Sequence, residues 1–413
     1  MPRVNTPYRL FLVVTLPLAV FSMISQASRT VMAIIGPLLA TEFSLSASQL
    51  GFLGACMFAA YGIAQLPVGI ALDMFGPRRI QAVFSLISAA GFALFALSHG
   101  LAGFAIARAI IGIGIAAALM AIIKVNTQWF TPAQVTTMTG LAMMVGSLGS
   151  VLTTAPVQAV LPALGWRGVF WILCGASVLS ALWIFIAVRD KPVAAARRSL
   201  KTEGAVIGQI LRSRLFWRFG PAASMLTILN FTYLGLWAGP WLRDVAGYDG
   251  TARAHTLLLY ALAMMAGGPA IGWAASRAQA RGWPVMMVPA LCTAGLVAAQ
   301  IGLMLQPSAP MLVNGLWVMF AFCGAGGPTG YIAVGQMFPV EQTARVATAI
   351  NALTLGCAFV LQSAIGAILD QWPRTATGGW DPHGYSAALA LSVGMQVAVA
   401  IHVSGIAAPR RRA

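Results

Sequence analysis

The chain has 413 residues, of which 59% are hydrophobic and only 8% are charged. Soluble globular domains carry about 25% charged residues, so this composition excludes an ordinary soluble protein and indicates a surface that faces lipid. The 25 Lys and Arg residues outnumber the 9 Asp and Glu residues, and the positions of the basic residues decide whether this excess reflects nucleic acid or membrane topology.

Twelve apolar stretches are each long enough to cross a hydrocarbon core of about 30 Å as a helix. In the first half they are predicted at 10–35, 48–72, 79–98, 101–128, 135–160 and 167–188. In the second half they are predicted at 217–242, 254–276, 283–305, 309–334, 344–370 and 385–405. The first stretch is longer than the apolar region of a signal peptide, so it is predicted to be a retained helix.

The basic residues concentrate on one side of these spans. The segments predicted to be cytoplasmic hold Arg3, Arg9, Arg78, Arg79, Arg189, Lys191, Arg197, Arg198, Lys201, Arg212, Arg214, Arg218, Arg277, Arg281, Arg345 and Arg410 to Arg412, whereas the outer loops hold Arg167, Arg243, Arg253 and Arg374. This bias predicts that both termini are cytoplasmic. The basic excess is therefore a topology signal, and we expect a lipid bilayer and no nucleic acid as partners.

The spans divide into two similar halves. Charged residues cluster between spans six and seven, which predicts a first bundle at 1–188, a cytoplasmic linker at 189–216 and a second bundle at 217–413. Trp129-Phe130-Thr-Pro132 ends span four much as Met337-Phe338-Pro339 ends span ten. The sequence therefore predicts an all-α membrane protein with twelve transmembrane helices in two six-helix, pseudo-symmetric bundles.

The loop after span two has the pattern G-x-x-x-D-x-x-G-x-R-R. Its members are Gly69, Asp73, Gly76, Arg78 and Arg79. Gly76 allows a tight turn, Asp73 can pair with a cation or cap a helix, and the arginines hold the loop in the cytoplasm. An ordinary basic turn is the alternative. In the second half, Gly272-Trp-Ala-Ala-Ser276-Arg277 before Arg281 looks like a decayed copy, with Ser276 in place of the aspartate.

Three cations are embedded in the first-half spans, whereas every carboxylate lies in a loop or near a helix end. A charge inside the membrane costs at least about 2.5 kcal/mol on insertion scales and is by default a functional hypothesis. On span one, Ser22, Ser25, Gln26 and Arg29 form one polar stripe at helical spacing, which is typical of a cavity lining, although Arg29 could instead snorkel to the outer surface.

Other polar side chains extend this candidate site. Span two supplies Tyr61 and Gln65, and Arg108 on span four shares a helical face with Asn126. Lys124 lies about 160° away from Arg108 around the helix and is expected to snorkel to the cytoplasmic end. The second-half candidates are neutral. They are Asn230, Tyr233 and Trp237 on span seven and Thr348, Asn351, Thr354 and Gln362 on span eleven, with helix packing as the alternative for the Thr residues.

No pattern of nucleophile and base or of metal ligands is found. The five cysteines fall in predicted helices without paired spacing, and the four histidines are scattered near span ends. We therefore expect no catalytic residues, metal or cofactor, and the chain is predicted not to be an enzyme.

The loop pattern, together with Arg108-x-x-x-Gly112-x-Gly114, resembles the major facilitator superfamily of secondary transporters. Within it, Ser28-Arg29 and the stretch from Phe58 to Gly69 are similar to the organic anion:cation symporter family. This resemblance implies that Arg29 and Tyr61 bind a substrate carboxylate, that Arg108 belongs to a coupling network, and that a substrate site lies at the midplane between the bundles. Ser28 and Ile115 replace carboxylates of proton-coupled members, which puts that coupling route in doubt.

The sequence therefore predicts a monomeric transporter of the bacterial inner membrane that moves a small organic anion of carboxylate type by alternating access. The expected substrate-binding residues are Arg29, Tyr61, Gln26, Gln65, Arg108, Asn230, Tyr233, Asn351 and Gln362. An efflux transporter for hydrophobic or drug-like compounds and a ligand sensor that does not transport are the alternatives. An efflux pump for cations would favour an embedded acid, and a sensor would favour a substantial soluble domain.

Overall fold

The computed structural model describes residues 7–190, 207–339, 342–375 and 378–405. The chain divides into two compact units, Met1–Leu200 and Lys201–Ala413. The first unit contains α1 (Pro7–Thr30), α2 (Met32–Glu42), α3 (Ala47–Phe75), α4 (Pro77–Leu97), α5 (Leu101–Ile115), α6 (Ala118–Trp129), α7 (Pro132–Leu152) and α8 (Ala155–Ala187). Most of the predicted linker, 191–206, lies outside the described residues.

The second unit begins with a short helical stretch at 207–212. It continues with α9 (Arg214–Thr232), a π-helical turn (Tyr233–Trp237), α10 (Ala238–Asp244), α11 (Gly250–Ala280), α12 (Met287–Met304), α13 (Pro310–Gly324), α14 (Gly327–Gly335), α15 (Thr343–Leu369) and α16 (Pro382–Gly405). The described parts of both units are helical, as a lipid environment requires, because a helix satisfies its own backbone polar groups.

Eleven helices among the described residues are long and apolar enough to cross a membrane. They correspond to the predicted spans with the exception of span seven. That segment is helical from Arg214 to Asp244 in three consecutive pieces, but Arg214, Arg218 and its polar residues lower its mean hydropathy. An all-helical, multi-pass membrane fold is thereby confirmed.

The ends of α3 follow from its sequence. Ser46 accepts a hydrogen bond from the backbone N–H of Gln49, whose side chain in turn accepts from the Ser46 backbone N–H, so a capping box begins the helix. Gly76 ends it at φ 81°, a conformation that strains a residue with a Cβ. Pro77 then opens α4, because the fixed φ of proline suits the first turn of a helix.

Several predicted spans are broken helices, which their continuous hydropathy did not reveal. Span one breaks at Val31, span four at Ala116 and Ala117, and span ten at Ala325 and Gly326. Span five, predicted at 135–160, is interrupted at residues 153–154. The breaks in spans four and ten fall at corresponding places in the two halves, as the predicted repeat implies.

Small residues bring neighbouring helices of the first unit into close contact. A Cβ on Gly112 of α5 would collide with the Met57 carbonyl of α3, and one on Gly114 would collide with Ser88 of α4. These two glycines therefore allow the close helix packing, because a larger side chain would force the helices apart.

An acidic side chain ties helix ends together in each unit. In the first unit, Glu42 at the end of α2 accepts hydrogen bonds from Trp166 Nε1 at 2.6 Å and from Arg167 at 2.9 Å on α8. In the second unit, Asp244 at the end of α10 accepts hydrogen bonds from the Tyr385 hydroxyl of α16 at 2.7 Å and from its neighbour Arg243. Within α8 the backbone is non-helical at Gly165 (φ 63°, ψ 175°), so the last transmembrane segment of the first unit starts at Trp166. Both units thus join the end of their first transmembrane segment to the start of their last.

Candidate substrate-binding site

Arg29 lies against Tyr61 in the first unit. Its guanidinium carbon is 4.8 Å from the centroid of the Tyr61 ring, and one terminal nitrogen is 3.5 Å from the Ser25 hydroxyl one turn earlier on α1. Arg29 is half-buried and Tyr61 is 6% exposed. An arginine stacked on an aromatic face keeps its planar donors oriented, which suits bidentate recognition of a carboxylate.

The polar stripe of α1 is divided between helix packing and the neighbourhood of Arg29. Ser22 is buried, and a Cβ on Gly146 of α7 would lie 2.8 Å from its hydroxyl, so Ser22 faces a helix contact. Gln26 is half-buried like Arg29. Ser25 is buried and contacts the arginine directly. Of the stripe, Ser25 therefore contacts Arg29, and Gln26 shares its partial burial.

Arg108 is 1% exposed and donates to backbone carbonyls. Its terminal nitrogen is 2.8 Å from the Ser28 carbonyl oxygen of α1, and its Nε is 3.3 Å from the Leu53 carbonyl oxygen of α3. No described carboxylate forms an ion pair with it. Arg108 thus links three helices, and it supports the backbone one residue before Arg29.

Asn126 and Gln65 also bridge helices of the first unit. The Asn126 side chain accepts a hydrogen bond from Thr15 on α1 at 2.7 Å and donates one to Thr139 on α7 at 3.0 Å. Arg108 and Asn126 therefore both contact α1, as their shared helical face predicted. The Gln65 amide lies 3.5 Å from the Ala116 carbonyl oxygen, at the break between α5 and α6, where the backbone hydrogen-bond ladder is interrupted.

Neutral polar groups occupy the interior of the second unit. The Asn230 side-chain oxygen accepts a hydrogen bond from the Tyr260 hydroxyl at 2.6 Å, and the hydroxyls of Tyr233 and Ser392 are 3.0 Å apart. Tyr233 opens the π-helical turn, and such turns often mark functional sites. The partners Tyr260 and Ser392 were not predicted, because neither belongs to a polar stripe in the sequence.

The span-eleven candidates differ in their burial. Gln362 is 1% exposed; its backbone carbonyl accepts from Trp237 Nε1 at 3.2 Å, and its side-chain oxygen is buried without a hydrogen-bond partner among the described residues. Asn351 is half-buried. Thr354 is buried and its hydroxyl lies 2.6 Å from that of Tyr331, which agrees with a packing role.

The loop pattern after α3 places its aspartate beside an embedded lysine. Lys124 Nζ lies 2.5 Å from the Asp73 carboxylate and 2.6 Å from the Leu72 carbonyl oxygen. Lys124 was expected to snorkel to the cytoplasmic end, and it reaches a specific partner there. An ion pair therefore joins the end of α3 to α6. It was not predicted, because the two residues lie far apart in the sequence.

The loop is also held by the end of α8. The backbone N–H of Arg78 donates to the Asp190 carboxylate at 3.0 Å, and Arg78 Nε donates to the Phe185 carbonyl at 2.7 Å. The Asp190 carboxylate lies so close to Gly76 that a Cβ there would collide with it. Gly69 is half-buried and Arg79 is exposed.

Asp73→Asn is expected to lower the transport rate and leave ligand affinity nearly unchanged. The Asp73–Lys124 pair is partly exposed, with side-chain exposures of 35% and 21%, so it is worth only about 0–1 kcal/mol. That is enough to change the populations of two states several-fold. Initial uptake rates in proteoliposomes and ligand-induced melting shifts measure the two effects, and Lys124→Gln should behave similarly. A large loss of affinity with intact turnover would contradict this role.

Sequence comparison relates the chain to transporters of organic anions. A protein of Cupriavidus necator named "Probable sulfoacetate transporter SauU" is 25% identical over 59% of this chain and 59% of its own length. The "Probable L-galactonate transporter" of Escherichia coli (strain K12) is 22% identical over 84% of this chain and 81% of its own length. The "Hexuronate transporter" of Bacillus subtilis (strain 168) is 25% identical, but the match spans only 40% of its length.

Solved structures and a family profile agree on the fold. A bacterial homologue of the human lysosomal transporter Spinster superposes with a TM-score of 0.73 at 18% identity and covers 97% of both chains. A D-xylose-proton symporter superposes with a TM-score of 0.72 at 16% identity, covering 96% of this chain and 97% of its own. The profile of the Major Facilitator Superfamily matches residues 18–361. The chain is therefore a member of the Major Facilitator Superfamily, a family of transporters rather than enzymes.

Proposed function

We propose that this protein carries a small organic anion with a carboxylate group across the bacterial inner membrane by alternating access, with both termini in the cytoplasm. The contact between Arg29 and Tyr61 supports this function most directly, because it orients a cation inside an apolar helical unit. The names of the relatives support the same class of substrate, since sulfoacetate, galactonate and hexuronate are all organic anions.

Charge balance explains the preference for an anion. The described carboxylates are Glu42, Asp73, Asp190, Asp244, Asp249, Asp370 and Asp381, all at or beyond helix ends. An efflux pump that draws cations into the membrane would favour a carboxylate nearer the middle of a helix. Arg29 supplies the opposite charge, and the neutral groups Asn230, Tyr233, Asn351 and Gln362 of the second unit suit hydroxyl groups on the substrate. A monomer, with bundles at 1–188 and 217–413 joined by the linker, suffices for this function.

A melting screen of the purified protein tests the proposal. A ligand that binds the native state alone raises its apparent stability by about 2.7 kcal/mol at a hundred times Kd. Small carboxylates, including sugar acids and sulfoacetate, are expected to raise the melting temperature, whereas phosphates and cationic drugs should leave it unchanged. Stabilisation by cationic drugs alone would contradict the proposed substrate class.

The proposed transport is uniport or anion exchange. Ser28 and Ile115 are buried and do not titrate, and the Ser28 hydroxyl donates to the Ser25 carbonyl; arginine stays protonated in proteins. In proteoliposomes with the membrane potential clamped, an imposed pH gradient is therefore expected not to concentrate a substrate that stays fully ionised. Concentrative uptake under these conditions would reveal a proton-coupling group and refute this mode.

Tyr61→Phe tests whether the tyrosine hydroxyl binds the anion. The Tyr61 ring contacts Arg29, and the residue is 6% exposed. The substitution removes only the hydroxyl, so affinity should fall by about 1–3 kcal/mol if a buried partner is left unpaired. The Kd of the best ligand from the melting screen measures the change. An unchanged Kd would assign Tyr61 to packing against Arg29.

A further inference from the structure

The second unit has a surface groove that transport of a solute does not explain. It is a cavity of about 680 Å³ lined by residues of α11, α12 and α13 and of the turn after α11. Ile271, Val288, Leu291 and Phe322 give it an apolar wall, and Arg277 and Arg281 lie in its lining. An apolar groove whose lining includes two arginines matches the two-part chemistry of an anionic phospholipid.

A regular helix C-terminus at the end of α11 positions Arg281 and Trp283, which line the groove. The N–H of Trp283 donates to the Ala278 carbonyl at 3.0 Å and the N–H of Gly282 donates to the Gln279 carbonyl at 2.9 Å. This is a Schellman motif, and Gly282 adopts the φ of 80° that it needs. The helix therefore ends at Arg281, and Trp283 after it lines the same groove as the two arginines.

Two tryptophans flank the arginines. The Arg277 guanidinium carbon lies 5.1 Å from the centroid of the Trp273 ring one turn earlier. Trp273 is 64% exposed and Trp283 is 49% exposed. Tryptophan is enriched where a membrane protein meets lipid headgroups, and long basic side chains reach towards that same layer. Arginines and exposed tryptophans at this end of α11 are therefore the residue types that fit the headgroup layer.

The arginines of this groove lack the acid that the first unit provides. In the first unit, Asp73 pairs with Lys124. In the decayed second-half copy the equivalent residue is Ser276, whose hydroxyl donates to the Gly272 carbonyl of its own helix at 3.0 Å. No described carboxylate forms an ion pair with Arg277 or Arg281. Arg277 and Arg281 can therefore bind an anion from outside the protein.

We propose that this groove is a binding site for an anionic phospholipid, whose phosphate contacts Arg277 and Arg281 and whose acyl chains lie along α11, α12 and α13. The groove lies wholly within the second unit, so this site is separate from the Arg29 and Tyr61 contact. Charge complementarity and the apolar wall favour a lipid over a free anion, which would gain nothing from Leu291 and Phe322.

Lipid retention and thermal stability test the site. The protein is purified in mild detergent, its bound phosphatidylglycerol is counted by native mass spectrometry, and its melting is measured with added phosphatidylglycerol or phosphatidylcholine. The wild type should retain phosphatidylglycerol and be stabilised by it. Arg277→Gln with Arg281→Gln should bind it about fivefold more weakly for each arginine removed. Arg212→Gln with Arg214→Gln removes two exposed charges of the same unit and should behave like the wild type.

A separate variant tests the apolar part of the groove. Ala274→Phe fills the groove and keeps both arginines, so it should lose phosphatidylglycerol while melting normally in phosphatidylcholine, which shows that it folds. The proposal would be overturned if the Arg277 and Arg281 double variant retained as much phosphatidylglycerol as the wild type. It would also be overturned if the Arg212 and Arg214 control lost as much phosphatidylglycerol as that double variant. Complete displacement of the lipid by inorganic phosphate would identify a site for free anions. A wild-type dimer that dissociates in the double variant would identify a second copy of the chain as the occupant. Either result would refute the proposal of a lipid site.

Discussion

Arg29→Gln is expected to abolish substrate uptake while the protein still inserts and folds. Glutamine keeps a polar side chain, but it is shorter than arginine and lacks the charge and the planar pair of donors that recognise a carboxylate. Charge-assisted hydrogen bonds are roughly twice as strong as neutral ones. Arg29 is half-buried beside the 6% exposed Tyr61 ring, so its loss removes a partly desolvated cation from the proposed site.

Uptake into proteoliposomes and ligand-induced melting shifts measure this loss. Arg29→Lys should also be poor, since a lysine ammonium presents a point charge without the planar fork. Arg9→Gln is the matched control, because Arg9 lies on the same helix, is exposed and carries the same charge. Normal transport by the Arg29→Gln variant would remove Arg29 from the substrate site.

The fold followed from the sequence because lipid leaves a chain few alternatives. Apolar length predicts a spanning helix, and the bilayer excludes most other backbone structures. The breaks at Val31 and at Ala116 and Ala117 could not be predicted in this way. They lie within continuous apolar stretches, and the contact found at one of them, from Gln65 to the Ala116 carbonyl, joins two helices and has no signal in the sequence of either.

The candidate site was predictable in part. Helical phase brought together Ser25 and Arg29, and it placed Arg108 and Asn126 towards the same helix. Phase describes one helix at a time, however, so it could not find partners across helices. For example, Tyr260 and Asn230 lie on different helices, and no sequence pattern indicates that these two residues are in contact. Backbone acceptors are equally hidden, because every residue has a carbonyl.

Arg108→Ala is expected to destabilise the first unit strongly. The arginine is 1% exposed and its two hydrogen bonds end on the carbonyls of Ser28 and Leu53. Hydrogen bonds to charged groups contribute about 1.5–3 kcal/mol each, and their loss leaves buried acceptors and a cavity behind. Alanine also leaves α1 without support one residue before Arg29, so the substrate site should lose its geometry together with the stability of the unit.

The melting temperature of the purified variant measures this effect, and Arg167→Ala is its matched control. Arg167 donates to Glu42, but both side chains are partly exposed, at 36% and 42%, so that pair should contribute only about 0–1 kcal/mol. Arg108→Lys keeps the charge, but a lysine ammonium lacks the fork of donors that reaches both carbonyls. Its melting temperature should therefore lie between those of the wild type and Arg108→Ala. If Arg108→Ala melted like the wild type and lost only ligand binding, Arg108 would contact the substrate directly, and its role in joining α1, α3 and α5 would be refuted.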